Sequence, residues 1–169
     1  MSFEFECRTC GETHRGMPSF GPDAPDSYYA VPEPERGARC DLGSDDCVID
    51  EEAFFVRGCL QVRVHSLSEP FVWLVWCSLS LESFKKWIET YEQKKRSEVG
   101  PFFGWLNTQL PFYPNTLNLK TMVHLRDDFL RPTVEVEPTE HPLAIAQRDG
   151  ISVREAEELV SSLLHPDEQ

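Results

Sequence analysis

The sequence predicts an α+β protein with a mostly antiparallel sheet of about five strands, two to three helices and an N-terminal cysteine knuckle. Runs of β-branched and aromatic residues, separated by turn residues, fill the middle of the chain and predict the sheet. Apolar residues at helical spacing within 81–96 and 152–165 predict helices. The pair Cys7 and Cys10, followed by Gly11, predicts the knuckle.

Composition and length predict a single domain over residues 1–169. Hydrophobic residues make up 40% of the chain and charged residues 27%, which indicates a globular protein with its own core. No internal repeat or clear linker divides the sequence. The predicted segments are the knuckle, an acidic loop rich in proline and glycine, a sheet with one helix, and C-terminal helices, at 1–20, 21–46, 47–138 and 139–169.

Five stretches predict the strands. Residues 47–50 and 53–65 form a predicted antiparallel hairpin, because two β-rich runs flank a short polar turn. Residues 69–80 are apolar on both alternating faces, which is typical of a central strand that is buried on both sides. Residues 117–127 and 131–138 are the remaining predicted strands, and the second of them alternates valine with glutamate, so one of its faces meets water.

Three stretches predict helices. Ser80 is placed to cap a helix over 81–96, whose apolar residues fall on one side. A shorter helix over 141–150 has a proline near its start and a glycine at its end, as helices often do. Ser152 begins a capping box at the start of the apolar stripe in 152–165.

The connection 101–119 is rich in aromatic residues and proline. We expect Phe103 and Trp105 to pack into the core, as the aromatic residues of compact loops often do. The alternative is a rigid aromatic wall that faces a ligand or a partner. The sequence leaves Tyr113 and Asn115 open between these two interpretations.

The knuckle Cys7-x-x-Cys10 predicts a structural zinc site. Zinc takes four ligands in a tetrahedron, and C-x-x-C supplies two of them from one tight turn, which Gly11 allows to curl. A redox pair usually stands at the start of a helix, where the helix dipole lowers the thiol pKa, and the glycines nearby disfavour a helix. Two buried, inert thiols are the remaining alternative.

Isolated residues must complete the zinc site, because the chain has no second C-x-x-C. His14 follows Cys10 closely enough to share the knuckle, and Cys40 in the acidic loop is a further candidate. Cys47 and Cys59 lie on one face of the predicted hairpin, which directs both thiols to the same side. The predicted ligands of the structural zinc ion are Cys7 and Cys10, together with two residues from the set His14, Cys40, Cys47 and Cys59.

Charge limits the partners that the protein can bind. The net charge is −13, with 4 Lys/Arg against 13 Asp/Glu in 1–53 and 2 against 9 in 133–169. Acidic ends repel a phosphate backbone, so we expect no nucleic-acid partner and favour a protein partner with a basic surface. The region 54–132 has a small basic excess, 10 against 7, and its cluster at 94–98 is expected to be the exposed end of a helix.

The sequence also predicts the cellular compartment of the protein. No apolar run is long enough to span a bilayer, and no secretory signal opens the chain. We therefore expect a cytoplasmic protein without a membrane partner, in which the thiols are reduced and are free or bound to metal.

The sequence leaves two candidate functions. The preferred one is a non-enzymatic, zinc-stabilised protein-binding domain, of which an immunity-type inhibitor of a basic toxin is a specific form. The alternative is a metal-dependent hydrolase that uses Asp50, His124 and His141 around an open metal position. The sequence contains no G-x-S-x-G, no phosphate-binding glycine loop and no H-E-x-x-H, which favours the non-enzymatic interpretation.

Stretches along the chain resemble a family of uncharacterised bacterial proteins, domain of unknown function 2199. They include "FECRTCGETHRGMP", "DDCVIDEEAFFVRGCLQV" and "FFGWLNTQLPFYPNTLNLKTMVHL", and with others they cover nearly the whole chain in order. The resemblance implies a compact bacterial, cytoplasmic protein, and it implies no reaction. The sequence departs from the family at Pro34 and Gly37, which interrupt what looks like a short helix in relatives.

Overall fold

The fold consists of ten strands and five helices within residues 2–166, the part of the chain that the computed structural model describes. The strands are β1 (Glu4–Glu6), β2 (Thr13–Arg15), β3 (Ser19–Phe20), β4 (Cys40–Leu42), β5 (Asp46–Ile49), β6 (Ala53–Val62), β7 (Phe71–Leu79), β8 (Phe102–Leu106), β9 (Lys120–His124) and β10 (Thr133–Val136). The helices are α1 (Asp26–Ala30), α2 (Glu33–Arg39), α3 (Leu81–Thr90), α4 (Pro142–Asp149) and α5 (Val153–Leu164). The predicted α+β class is confirmed.

Eight of these strands form one sheet in the order β3-β7-β8-β9-β10-β6-β5-β4. An additional pairing between β7 and β6 closes β6, β7, β8, β9 and β10 into a five-stranded barrel. The pairs β4–β5, β5–β6, β7–β8, β8–β9 and β9–β10 are antiparallel, and β3–β7 and β6–β10 are parallel. The prediction of a mostly antiparallel sheet is therefore confirmed, whereas its closure into a barrel was not predicted.

Contacts along the chain define two compact units. The first consists of Met1–Phe20, Gln61–Trp73 and Pro138–Gln169, and the second consists of Gly21–Leu60 and Leu74–Glu137. The knuckle and the C-terminal helices belong to the first unit, and most of the barrel belongs to the second. The prediction of a single domain stays a prediction.

The core of the second unit contains completely buried side chains from the barrel strands. Trp76 on β7 is one of them, and its indole Nε1–H donates to the Pro22 carbonyl at 3.1 Å. Cys47 and Cys77 are also completely buried, and burial raises the pKa of each thiol to about 12. Both thiols therefore stay protonated at neutral pH. The pairing of β7 with β3, β6 and β8 confirms the central strand predicted for 69–80.

The aromatic connection contains a strand, β8, that the sequence did not predict. Phe103 and Trp105 face outward from β8, where they are 44% and 43% exposed. The expectation that both pack into the core is therefore wrong. Gly104 faces inward, and a Cβ there would lie 2.6 Å from the Ser78 carbonyl oxygen on β7. The close approach of the two strands accordingly requires glycine at this position.

Two short helices, α1 and α2, lie within 21–46, where the sequence predicted a loop. Pro34 stands in the first turn of α2, where its missing N–H costs no helical hydrogen bond and its fixed φ favours the helix. Gly37 lies later in α2 and is exposed, so it weakens the helix without ending it. These two elements explain why the structure has five helices, when two to three were predicted.

The predicted helix caps at Ser80 and Ser152 are present. In each case the serine Oγ accepts a hydrogen bond from the backbone N–H three residues later, at 3.1 Å. Helix α3 ends at Thr90, earlier than predicted, so the basic cluster 94–98 is not the end of a helix and its Arg96 is buried. Within residues 2–166, no helix combines the length and the hydrophobicity needed to cross a membrane.

Candidate metal centre

The N-terminal hairpin places both cysteines of the knuckle at its turn. β1 and β2 pair antiparallel, and His14 lies on the returning strand. The Cys7 N–H donates to the Glu12 carbonyl, and the Cys7 carbonyl accepts from the Gly11 N–H, each at 2.8 Å. Gly11 has a φ of 75°, a left-handed conformation that favours glycine. Cys10 ends a turn and β2 begins at Thr13, so the helix that is typical of a redox C-x-x-C does not follow Cys10.

Four side chains meet at this turn: Cys7, Cys10, His14 and His165. Their candidate ligand atoms all lie within 4.8 Å of one another, and Cys10 Sγ is 3.3 Å from His14 Nε2. Among residues 2–166, this is the only group found of three or more side chains that can hold a metal. Two thiolates and two imidazoles form a donor set that zinc binds tetrahedrally. The cluster can therefore bind a metal such as zinc.

His165 is the member of the cluster that the sequence analysis missed. It follows α5 directly, and its backbone N–H donates to the Ser161 carbonyl at 3.2 Å, so the end of the helix fixes its position. Its Nε2 is buried and has no hydrogen-bond partner within the described residues. Because buried polar atoms are normally paired, an unpaired imidazole nitrogen at this point fits a metal ligand. The only signal in the sequence was a histidine at the end of the apolar stripe in 152–165.

Ser161 connects the knuckle to α5 at the same place. Its Oγ lies 3.3 Å from Cys7 Sγ and 3.2 Å from Thr9 Oγ1. The Ser161 hydroxyl, together with backbone N–H groups of the turn, lowers the pKa of the Cys7 thiol to about 5. The Glu12 N–H stabilises a thiolate at Cys10, but desolvation and the nearby Cys7 sulfur outweigh it and raise the pKa of Cys10. Cys7 is therefore the thiolate of the metal-free pair, and thiolates are the form that binds metal.

Cys47 and Cys59, which were predicted as ligands, do not join this cluster. The predicted hairpin is present as β5 and β6, but Cys47 stands opposite Phe55 and packs in the core of the second unit. Cys59 is partly buried, and its Sγ lies 3.7 Å from Arg126 Nη2. Cys40 packs against the same core as Cys47. Strand alternation directs Cys47 inward, as expected, but the inward side is a hydrophobic core.

The alternative function, a hydrolase, was assigned to Asp50, His124 and His141. Each of these side chains contacts a nearby group. Both carboxylate oxygens of Asp50 accept from Arg39 at 2.9 Å, and this guanidinium holds the pKa of the carboxyl below its usual range. His124 Nε2 is 3.9 Å from Glu135 on the neighbouring strand. His141 Nδ1 accepts a backbone N–H at the start of α4. None of the three belongs to the metal-binding group found in residues 2–166.

The fold and the cluster together define a small α+β protein with a five-stranded mixed barrel and a Cys/His group that can hold a metal. The chain belongs to the family described as uncharacterized protein conserved in bacteria (DUF2199), whose sequence model matches residues 6–151. The matched stretch includes Cys7, Cys10 and His14 and ends before His165. Neither a curated protein nor a solved structure matches the chain. The predicted family membership is confirmed.

Proposed function

We propose that the chain is a non-enzymatic protein-binding domain whose fold is stabilised by one zinc ion. The zinc part rests on the cluster of Cys7, Cys10, His14 and His165, which offers four protein ligands within 4.8 Å. Four protein ligands fill a tetrahedral zinc ion and leave no position for water or substrate, which is the pattern of a structural site. This donor set therefore favours a structural role over a catalytic one.

The metal would join the N-terminal hairpin to the end of α5. β1 and β2 have three residues each, and a two-stranded hairpin of this size is not stable alone in water. Between the hairpin and the helix, the Ser161 hydroxyl meets Cys7, and the rings of His14 and His165 lie 5.9 Å apart. Zinc bound to side chains from both elements adds its binding free energy to the stability of this arrangement.

Elemental analysis of the purified protein is expected to find one zinc ion per chain. His165→Gln removes one nitrogen ligand and should lower the zinc-to-chain ratio well below that of the wild type, because three remaining ligands bind zinc more weakly. His124→Gln is the matched control, since His124 lies outside the cluster, and it should keep the wild-type ratio. A metal-free wild type after expression with added zinc, or an unchanged ratio in H165Q, would contradict the assignment.

Charge and exposed aromatic side chains support the protein-binding part of the proposal. The net charge of −13 favours association with a basic surface and speeds the encounter. Glu51 and Glu52 are exposed at the turn between β5 and β6. Phe103 and Trp105 are exposed on a barrel strand, and aromatic side chains on a rigid element are typical anchors of interfaces. The specific form that we propose is an immunity-type inhibitor of a basic toxin.

The zinc-loaded protein, used as bait in extracts of the native host, is expected to retain a basic protein at low salt. The partner should be released at about 1 M salt, where the Debye length is about 3 Å. Trp105→Ala should weaken the retention about tenfold, whereas Phe112→Ala, which truncates an exposed aromatic residue outside the barrel strands, should not. If no basic protein is retained, or if salt has no effect on its retention, the inhibitor proposal is wrong.

A further inference from the structure

A small cavity in the second unit combines charged and aromatic walls, and the proposed function does not use it. Its volume is about 110 Å³, and its walls include Asp45, Trp87, Tyr91, Arg96, Phe129 and Arg131. One of these residues, Arg96, comes from the basic cluster 94–98, which the sequence predicted to be exposed. Most of the cavity wall therefore comes from residues 54–132, the part of this acidic chain that has more basic than acidic residues.

Arg96 contributes a buried guanidinium to the cavity wall. The residue is 4% exposed, and its guanidinium carbon lies 4.9 Å from the centroid of the Trp87 ring. Nε donates to the Arg126 carbonyl and Nη2 donates to the Leu130 carbonyl, each at 3.3 Å. Nη1 is buried and has no hydrogen-bond partner among residues 2–166. Across the described residues, no carboxylate oxygen lies within 4.0 Å of this guanidinium.

The charge of Arg96 is therefore left without a counter-ion in contact. A guanidinium stays protonated at any pH at which the protein is folded, and a buried charge is unfavourable unless it is paired. The acidic residue of the wall, Asp45, is engaged elsewhere: Oδ1 accepts from Arg131 Nε at 3.0 Å, and Oδ2 accepts from the Tyr91 hydroxyl. Because Asp45 pairs with Arg131, Arg96 is the remaining charged residue among those that line the cavity, and the Asp127 carboxylate beside it accepts its backbone N–H at 2.8 Å.

We propose that this cavity binds a small oxyanion, the carboxylate or phosphate group of a small molecule, through Arg96. Guanidinium N–H groups form charge-assisted hydrogen bonds with both kinds of group, and the anion would supply the missing counter-ion. The rings of Trp87 and Tyr91, together with Phe129, add apolar walls that can contact a small substituent on the ligand. A volume of about 110 Å³ limits the ligand to a small molecule.

Titration of the zinc-loaded, nitrogen-15-labelled protein with inorganic phosphate, and separately with benzoate, tests this proposal at constant ionic strength. The Trp87 indole N–H donates to Asp46 Oδ2 at 3.0 Å, so its resonance reports on the cavity wall. Trp105, exposed on the barrel, is the internal control. We expect the Trp87 resonance to shift saturably while the Trp105 resonance does not. A response to phosphate alone or to benzoate alone identifies the preferred group, and no saturable shift with either probe overturns the proposal.

Arg96→Met removes the charge and keeps a side chain of similar length. We expect the variant to bind the effective probe about tenfold more weakly, the effect of losing one charge-assisted hydrogen bond. Lys94→Met, the same substitution at an exposed neighbour, should bind as the wild type does. Wild-type affinity in R96M would refute the role of Arg96, and the wild-type titration remains decisive if R96M does not fold.

Discussion

Cys10→Ser is expected to lower the midpoint of thermal unfolding of the zinc-loaded protein by about 8–16 °C. A ligand that binds only the folded state adds about 4 kcal/mol at a thousandfold excess over its Kd. At this chain length, each kcal/mol corresponds to about 2–4 °C in the midpoint. Cys10 is the best position for this test because its side chain is exposed. The substitution therefore removes a proposed metal ligand and almost no packing.

Chelation of the metal should reproduce the effect of this substitution. Excess EDTA is expected to lower the midpoint of the wild type to that of C10S and to leave C10S unchanged. Cys59→Ser serves as the control, because it replaces a partly buried cysteine that lies outside the cluster. Its response to the chelator should match that of the wild type. A wild-type midpoint that is the same with and without chelator would exclude a stabilising metal at this site.

The chelator also separates the zinc site from the thiol-redox alternative. If zinc is bound as proposed, it shields both thiolates, so Cys7 and Cys10 should react slowly with an alkylating reagent until the metal is removed. A redox pair would instead form a disulfide on mild oxidation, and its reactivity would not depend on the chelator. The low pKa of Cys7, held down by the Ser161 hydroxyl, suits both chemistries. The dependence on chelator is therefore the deciding observation.

Local patterns predicted three of the four clustered side chains, and a long-range contact supplied the fourth. C-x-x-C and the following histidine lie on one turn and one strand, so their spacing alone brings them together. His165 follows α5, far from the knuckle in the sequence. The side chains of Ser161 and Cys7, which are 154 positions apart, make the contact that brings α5 to the knuckle. No spacing rule connects residues that far apart. At Cys47 the predicted hairpin is present, and the side chain lies in a hydrophobic core of the second unit.

The same distinction between local and long-range effects explains which strands and helices the sequence predicted and which it missed. β7 was predictable because a strand buried on both faces needs a continuous apolar run. β8 was missed because Gly104 and the nearby prolines suggest a turn, although the glycine is required by the closeness of β7. α2 was missed because Pro34 suggests an interruption, and a proline in the first turn of a helix is favourable. Composition alone could not predict the strand that contains Gly104 or the helix that contains Pro34.

Gly21→Ala is expected to destabilise the protein by about 3 kcal/mol. A Cβ at Gly21 would lie 1.9 Å from the carbonyl oxygen of Leu74 and 2.7 Å from the Leu74 Cβ. The obstacle is the backbone of β7, which is hydrogen-bonded to its neighbours in the sheet and cannot move without disturbing them. Rotation of a side chain cannot relieve a clash with the main chain, so the cost should be larger than that of an ordinary core substitution.

Gly37→Ala provides the matched control, and we expect it to stabilise the protein by about 0.5–1 kcal/mol. Gly37 is a helical residue of α2, and a Cβ there would have no atom of the described part of the chain within 4 Å. Urea denaturation followed by circular dichroism measures both variants, and their midpoints should move in opposite directions from the wild type with little change in m. If both midpoints rise, the close contact at Gly21 is contradicted, and if both fall, the helix at Gly37 is contradicted. Because both substitutions replace one hydrogen atom by a methyl group, the difference between them reports on the backbone conformation and the surroundings of each glycine.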